Sequence, residues 1–565
     1  MERPSIVVIL TDDQGWGDLS LNGNANLATP HIDRMAREGA VFDWFYVQPV
    51  CAPTRAELLT GRWYPRTGVR GVQRRAEMLN LDETTLGDVF KRAGYATGCF
   101  GKWHSGSAYP YHPNGRGFDE FYGYCCGHWS HYFDSTLERN GQEVKAEGYL
   151  TDALTTEALR FIETHQAEPF LCYVPLNTPH SPFQVPDKWH RKFDDADLSL
   201  RCRPGEEEDL AATRCVLGMC ENIDWNVGRL VDKVAELGLS DQTIFVYFSD
   251  NGPNTWRWNG GMRGKKGSTD EGGVRSPCVV RWPGRVPAGR RIAQIAGAID
   301  VLPTLADLAG IDLAVEKPID GVSLKPLLTG DAADWPDRPL FAHWSARQPV
   351  SVRTQEFRAG GPAAGLYRMA EDPCQECDLS QELPEVHAAL MARIDAWRAD
   401  ALPPTEPDER PLPAGYPEFP HVYLNAQDGI PSGEITWSAI HPNASYFINW
   451  TRAEDEMRWD VDVRTAGKYR VTVYYTCPEG DEGSVIEAAF GNASVSARVE
   501  PAFDPPLRDD ADRVPRVESY EKPFRPLELG VLDLPAERGD VVLRARSVAG
   551  GLVCDVRALR LELLL

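Results

Sequence analysis

Short, uninterrupted apolar runs recur through the first three hundred residues, and a polar cluster follows each of them. Ile6–Leu10 is wholly apolar and runs into Asp12 and Asp13. A run without polar alternation is the pattern of a strand covered on both faces, as in a parallel sheet between helices. Tyr95–Phe100, Phe170–Leu176 and Thr243–Phe248 read the same way. Between them, Thr29–Gly39 and Thr85–Gly94 predict short capped helices, and a longer one runs from about Ala211 to Leu237. Strand and helix in alternation predict an α/β unit over 1–310, built on a large, mostly parallel sheet flanked by helices.

The pattern then changes twice. Residues 311–400 are less regular: strands are expected at Phe341–Trp344 and Val350–Thr354, and a helix at Glu385–Ala399, which makes a small α+β subdomain. Over 401–420 the prolines 403, 404, 407, 411, 413, 417 and 420 stand among acidic residues, the composition of a stiff linker. From 421 to 565 the period becomes two. Arg458–Val463, Tyr469–Tyr475, Ser484–Phe490, Ser494–Val499, Val541–Ala545 and Ala558–Leu563 predict a C-terminal antiparallel β-sandwich. Such an appendage is either a carbohydrate-binding module or a structural accessory.

Charge and composition narrow the partners. A net charge of −24 disfavours nucleic acid, whose phosphates need a basic surface, but leaves room for a small anion in a locally positive pocket. No apolar run is long enough to cross a bilayer, so no membrane association is expected. The start Met1–Pro4 carries no export signal, which implies a cytoplasmic protein if Met1 is the native start and a periplasmic or secreted one if a signal was removed. Thirteen cysteines, an odd number, do not suggest a disulfide framework. Cys99, Cys172 and Cys278 fall in strand-like runs and read as core thiols. Cys374 and Cys377 form a lone C-x-x-C, more in keeping with a local disulfide or plain thiols than with a metal site. The sequons at Asn443, Asn449 and Asn492 are read as coincidental.

The chemistry lies just beyond the strands. Asp12-Asp13, Lys102-Trp103-His104, Asn177-Thr178-Pro179-His180 and Asp250-Asn251 each follow one of the four runs. Ligands of open α/β sheets bind outside the carboxyl ends of the strands, so these groups are expected to share one edge. Asp12, Asp13, Asp250 and Asn251 are hard oxygen donors, suited to calcium or magnesium. Cys51-Ala52-Pro53-Thr54-Arg55 predicts a helix ended by Gly61, with Cys51 at its anion-favouring N-terminus and Arg55 one turn on.

Cys51–Arg62, CAPTRAELLTGR, resembles the sulfatase signature C-x-P-S/T-R-x-x-L-L-T-G-R. Ile9–Asp18, Gly101–His104, Pro179-His180, Ser249–Gly252 and Gly261–Arg275 resemble further motifs of that family, a branch of the alkaline phosphatase superfamily. Thr54 in place of the commoner Ser, Ser105 after Gly101–His104, and Leu366–Pro373 depart from the pattern. The resemblance implies that Cys51 is oxidised to formylglycine by a formylglycine-generating or maturase enzyme. It implies one calcium ion held by Asp12, Asp13, Asp250, Asn251 and modified Cys51. It also implies a sulfate pocket of Arg55, Lys102, His104, His180 and Lys266, with Lys266 preferred to Lys265 by its spacing to Gly267. The implied reaction is hydrolysis of a sulfate monoester, on a sulfated glycan or an aryl sulfate, with His180 and Lys266 protonating the leaving group and His104 serving as base. A phosphonate monoester hydrolase or phosphodiesterase with the same nucleophile, and a non-catalytic glycan-binding protein, are the alternatives. Since every implied site residue precedes residue 405, removal of the C-terminal part is expected to leave small-substrate activity nearly unchanged.

Overall fold

The computed structural model describes residues 3–330, 335–345, 349–403 and 408–565; Pro404 and Pro407 of the expected linker lie outside the described residues. A ten-stranded mixed sheet forms the centre of the N-terminal α/β unit. Its five central strands, in spatial order Thr243–Ser249, Ser5–Thr11, Phe170–Pro175, Ala96–Lys102 and Glu120–Tyr124, are all parallel. Antiparallel pairing is confined to the margins, where Cys278–Arg281 joins one side and Thr136–Arg139 the other. The sheet is therefore parallel where the expected ligand edge lies and mixed outside it.

Ser5–Thr11, Phe170–Pro175 and Thr243–Ser249 are buried at every position, which explains their unbroken apolar runs. Alternate side chains feed two cores. Val7, Ile9, Cys172, Val174, Phe245 and Tyr247 pack on one face, against the helices Leu150–Thr164 and Leu210–Glu236. Ile6, Val8, Leu10, Leu171, Tyr173 and Phe248 pack on the other, with the helix Val301–Leu308. Asp209 caps the long helix by accepting from the Ala212 N–H, and Thr85 and Asp88 form a capping box on Leu86–Arg92. Cys99, Cys172 and Cys278 are buried in these cores, and all thirteen cysteines are free thiols, Cys374 and Cys377 included.

Beyond residue 311, Leu340–Ala342, Ser351–Arg353, Phe357–Gly360 and Leu366–Arg368 form an antiparallel sheet covered by the helix Pro384–Ala401. The C-terminal part is two sheets sharing one core: Trp459, Val461, Ile486 and Leu543 from one meet Val471, Val473, Leu559 and Leu561 from the other. Strands Arg525–Leu534 and His421–Asn425 add to those expected. The stretch expected to be a linker is partly structural. Leu412–Ala414 pairs in parallel with Leu412 opposite Val461, and Arg410 donates to the carbonyls of Met78 (2.8 Å) and Gly68 (2.9 Å). No helix among the described residues is long and apolar enough to cross a membrane.

Candidate active site

The parallel register brings the ends of the four expected strands to one edge. Gly101, the penultimate residue of its strand, has φ +142 and lies against the Pro175 carbonyl of the neighbouring strand, where a Cβ would not fit. Lys102, the next residue, is fully buried, and its Nζ donates to Asp12 Oδ2 at 2.7 Å. Lys266 Nζ pairs with Asp13 Oδ1 at 2.7 Å, whereas the neighbouring Lys265 donates to the Asn254 carbonyl. The backbone at Asp13 is left-handed, φ 68, and its N–H donates to Asp250 Oδ1 at 3.2 Å.

Cys51 opens the helix Cys51–Thr60, buried at every residue and ended by Gly61 at φ 67. Thr54 Oγ1 donates to the Asp250 carbonyl at 2.6 Å. Arg55, one turn from Cys51, donates through Nη2 (2.8 Å) and Nε (3.2 Å) to Asp250 Oδ2, and through Nη1 to the Lys102 carbonyl at 2.8 Å. Three carboxylates are thus matched by three cations, and the side chains of Asp12, Asp250, Arg55 and Lys102 are wholly removed from solvent. Burial, followed by the charge of Asp12, pushes the Asp250 carboxyl up to about 6. Burial opposes ionisation of Asp13 too, but Lys266 and His180 hold it well below the usual carboxylate range. Burial also raises the Cys51 thiol, against the pull of Lys102 and Lys266, so an unmodified Cys51 is a protonated, weak nucleophile.

The two histidines are oriented by backbone carbonyls. His104 Nε2 donates to the Val72 carbonyl at 2.9 Å, which leaves a lone pair on Nδ1, a buried atom with no partner. Its backbone is left-handed, φ 60. Burial, with Lys102 adding to it, lowers its basicity well below the ordinary histidine value, so the ring is neutral. His180 Nδ1 donates to the Ser181 carbonyl at 2.6 Å, and Nε2 faces Asp13 Oδ2 at 3.6 Å. Tyr132 Oη donates to the carbonyls of His180 (3.0 Å) and Ser181 (3.1 Å). His128, not anticipated from the sequence, stacks on His180 with ring centroids 5.8 Å apart. It lies four residues beyond the strand Glu120–Tyr124, whose sequence has no unbroken apolar run to mark it, so the strand-end signal did not reach it.

Ligating atoms of Asp12, Cys51 and Asp250 lie within 4.8 Å of one another, as do those of Asp12, Asp13 and His180. Asp12 Oδ1 and Asn251 Oδ1 are buried without hydrogen-bond partners, while Asn251 Nδ2 is spent on Asp13 Oδ1 (2.8 Å) and the Gly252 carbonyl (2.9 Å). Unpaired buried oxygens in a set of hard donors fit a divalent cation of the calcium or magnesium kind. His112, Cys125 and Glu138 also converge, but there the His112 Nδ1 accepts from the Asn114 N–H. Its Nε2 therefore carries the proton donated to Glu138, at 3.0 Å, and has no lone pair for an ion.

A mixed sheet with a buried carboxylate–cation cluster at the carboxyl ends of its parallel strands, and a cysteine-headed helix beside it, makes a site suited to a divalent cation and an anionic ligand. Residues 4–311 match the Sulfatase family, and 265–359 match N-sulphoglucosamine sulphohydrolase, C-terminal. The chain belongs to the sulfatase family, enzymes that hydrolyse sulfuric esters. It is 34% identical over 395 residues to the N-acetylgalactosamine-6-sulfatase of Mus musculus, covering 63% of this chain and 72% of the relative. The solved structure of Ps i-CgsB in complex with k-i-k-neocarrahexaose has a TM-score of 0.66 at 30% identity, over 72% of this chain and 94% of that one. The phosphonate monoester hydrolase of Agrobacterium radiobacter shares the fold, with a TM-score of 0.56 at 21% identity over 71% and 96% of the two chains.

Proposed function

We propose that the protein hydrolyses sulfate monoesters of a sulfated glycan, using Cys51 oxidised to formylglycine by a maturase. The observation that carries this reading is the convergence of Cys51 with Asp12 and Asp250 in one buried cluster. Similarity to the N-acetylgalactosamine-6-sulfatase and to a protein solved with a neocarrahexaose supports a glycan as substrate. Oxidation supplies at position 51 a hydrated aldehyde, which can attack sulfur with one hydroxyl and expel sulfate through the other. Calcium, held by Asp12, Asp13, Asp250, Asn251 and position 51, supplies a Lewis acid for the sulfate oxygens.

The protein's own residues do the rest. Arg55, Lys102 and Lys266 match the three carboxylates charge for charge, so a bound divalent cation leaves the pocket positive and ready for an anionic ester. The lone pair on His104 Nδ1, set by the Val72 hydrogen bond, accepts the proton of the second hydroxyl at position 51 as sulfate leaves and the aldehyde re-forms. His180, whose Nδ1–H is tied to Ser181, acts as the imidazolium: it gives its Nε2 proton to the departing alcohol and is left as the neutral ring, with Lys266 beside it. The modification supplies what a thiol lacks: a cysteine carrying the sulfo group would have no second hydroxyl through which to expel sulfate. The test is mass analysis of the position-51 peptide alongside turnover of an aryl sulfate. Conversion of the thiol to the aldehyde in proportion to activity supports the reading; full activity with an unmodified thiol overturns it.

A further inference from the structure

Both imidazoles of the proposed mechanism are oriented by a backbone carbonyl, and in both places the C-terminal sandwich reaches in. The Val72 carbonyl that accepts from His104 Nε2 also accepts from Asn443 Nδ2, at 3.0 Å. Asn443 is 5% exposed, and its Oδ1 is buried without a partner. Gly127 lies between the two: a Cβ there would overlap both Asn443 Nδ2 and His104 Nε2. The loop that carries Val72 is held from the same side, with Arg74 over the Trp437 ring at 4.2 Å and Arg75 Nη1 donating to the Arg410 carbonyl at 3.0 Å.

The other histidine is held in the same manner. The Ser181 carbonyl accepts from His180 Nδ1, and the Ser181 hydroxyl donates to Glu518 Oε1. The segment around Glu518 follows the chain beyond Ser181. Gln184 Nε2 donates to Asp512 Oδ1 at 2.6 Å, and Arg513 donates to the Val185 carbonyl at 2.9 Å through Nη2. Arg508 Nη2 donates to the Phe133 carbonyl at 2.7 Å, and Arg516 to that of Ser130, on the chain flanking Tyr132.

We infer that the C-terminal sandwich is a working part of the active site, with Asn443 a positioning residue for His104 and Glu518 one for His180. This rests on the roles given to the two histidines above. It replaces the expectation that residues beyond 405 are dispensable. It also explains why Asn443, though it heads a sequon, faces inward: the amide is occupied by Val72. Misplacing a proton-transfer group by a fraction of an ångström slows the chemical step without weakening ground-state binding.

The test uses the full-length mature enzyme and phenyl sulfates of graded leaving-group acidity. Asn443→Ala and Asn443→Ser both withdraw the amide donor from Val72, and neither places a charge in the buried site. Each is expected to lower kcat about tenfold for the good leaving groups, with KM falling in parallel because the slowed step follows phenol release, and with melting temperature unchanged. Glu518→Ala is expected to lower kcat most for poor leaving groups, because His180 assists departure. Glu518→Gln, which keeps an acceptor for the Ser181 hydroxyl, is expected to restore the wild-type slope. Wild-type turnover of the same sulfates is the control for the function itself. With that control positive, wild-type kcat in Asn443→Ser and Glu518→Ala overturns the inference. Losses that track melting temperature, or that Glu518→Gln shares in full, overturn it equally.

Discussion

Arg55, Lys102 and Lys266 reach their carboxylates within the catalytic unit, from a helix, a strand end and a neighbouring turn. His104 and His180 are held differently, through Val72 and Ser181, whose other partners, Asn443 and Glu518, lie 371 and 337 residues further along the chain. The charged floor of the pocket is therefore local in origin, and its imidazole walls are not. Charges buried without water must be matched by neighbours that fold with them, because an uncompensated one costs several kcal/mol. An imidazole that moves a proton needs direction, which a distant domain can supply.

The contrast can be broken most severely at the floor. Cys51→Ala should abolish sulfate release while leaving the melting temperature unchanged, since a small buried thiol is lost and the helix remains; residual turnover above the uncatalysed rate would mean another nucleophile. Arg55→Ala should cost both activity and stability. It leaves Asp250 without its partner in a dry site, so destabilisation of about 3–5 kcal/mol is expected in denaturant unfolding. An unfolding midpoint equal to wild type would show that the Asp250 carboxylate is compensated elsewhere.

At the walls the effects should be kinetic. His104→Ala and His180→Ala should each lower kcat by about 10²–10⁴, with stability near wild type. Rapid mixing with phenyl sulfates separates them. The first variant should show a burst of phenol followed by slow turnover, and the second a steeper dependence on leaving-group pKa. The opposite assignment would exchange their roles.

The floor was legible because two signals coincide there: unbroken apolar runs that mark buried strands, and the polar residues directly after them. Asp12, Lys102 and Asp250 of the floor lie where that rule expects them, and so does His180 of the walls. Lys266 was separated from Lys265 by motif spacing alone, and the structure gives only Lys266 an Asp13 partner. Asn443 and Glu518 carried no such signal, since a lone amide or carboxylate in an alternating β region reads as a solvated edge. The proline-rich stretch misled for a related reason. Its composition is that of a linker, yet Arg410 docks on Gly68 and Met78, and Leu412–Ala414 joins a sheet. Composition reports what a segment prefers alone, and packing contacts from elsewhere decide these cases.

The smallest expected effect sharpens the contrast at the contact between the two parts. Glu77 of the catalytic unit and Asp428 of the sandwich are both buried; burial, with Asp428 adding to it, pushes Glu77 up to about 8, and burial pushes Asp428 up to about 7. In the unfolded chain both titrate near pH 4, so between about pH 4 and 8 the folded protein binds more protons than the unfolded one. The stability these groups contribute is full below that window and is lost as pH rises through about 7–8. The melting temperature should therefore fall by several degrees from pH 5.5 to 8.5, and Glu77→Gln should flatten the fall. A slope identical in wild type and variant would remove this pair from the account.

The central claim is that this pocket turns over sulfate monoesters through position 51. Initial rates of the mature, calcium-loaded enzyme on 4-nitrophenyl sulfate and on bis(4-nitrophenyl) phosphate, which share one leaving group, test it most directly. The account predicts faster sulfate turnover, absent in Cys51→Ala. Faster diester turnover, or sulfate turnover that survives loss of Cys51, would contradict it.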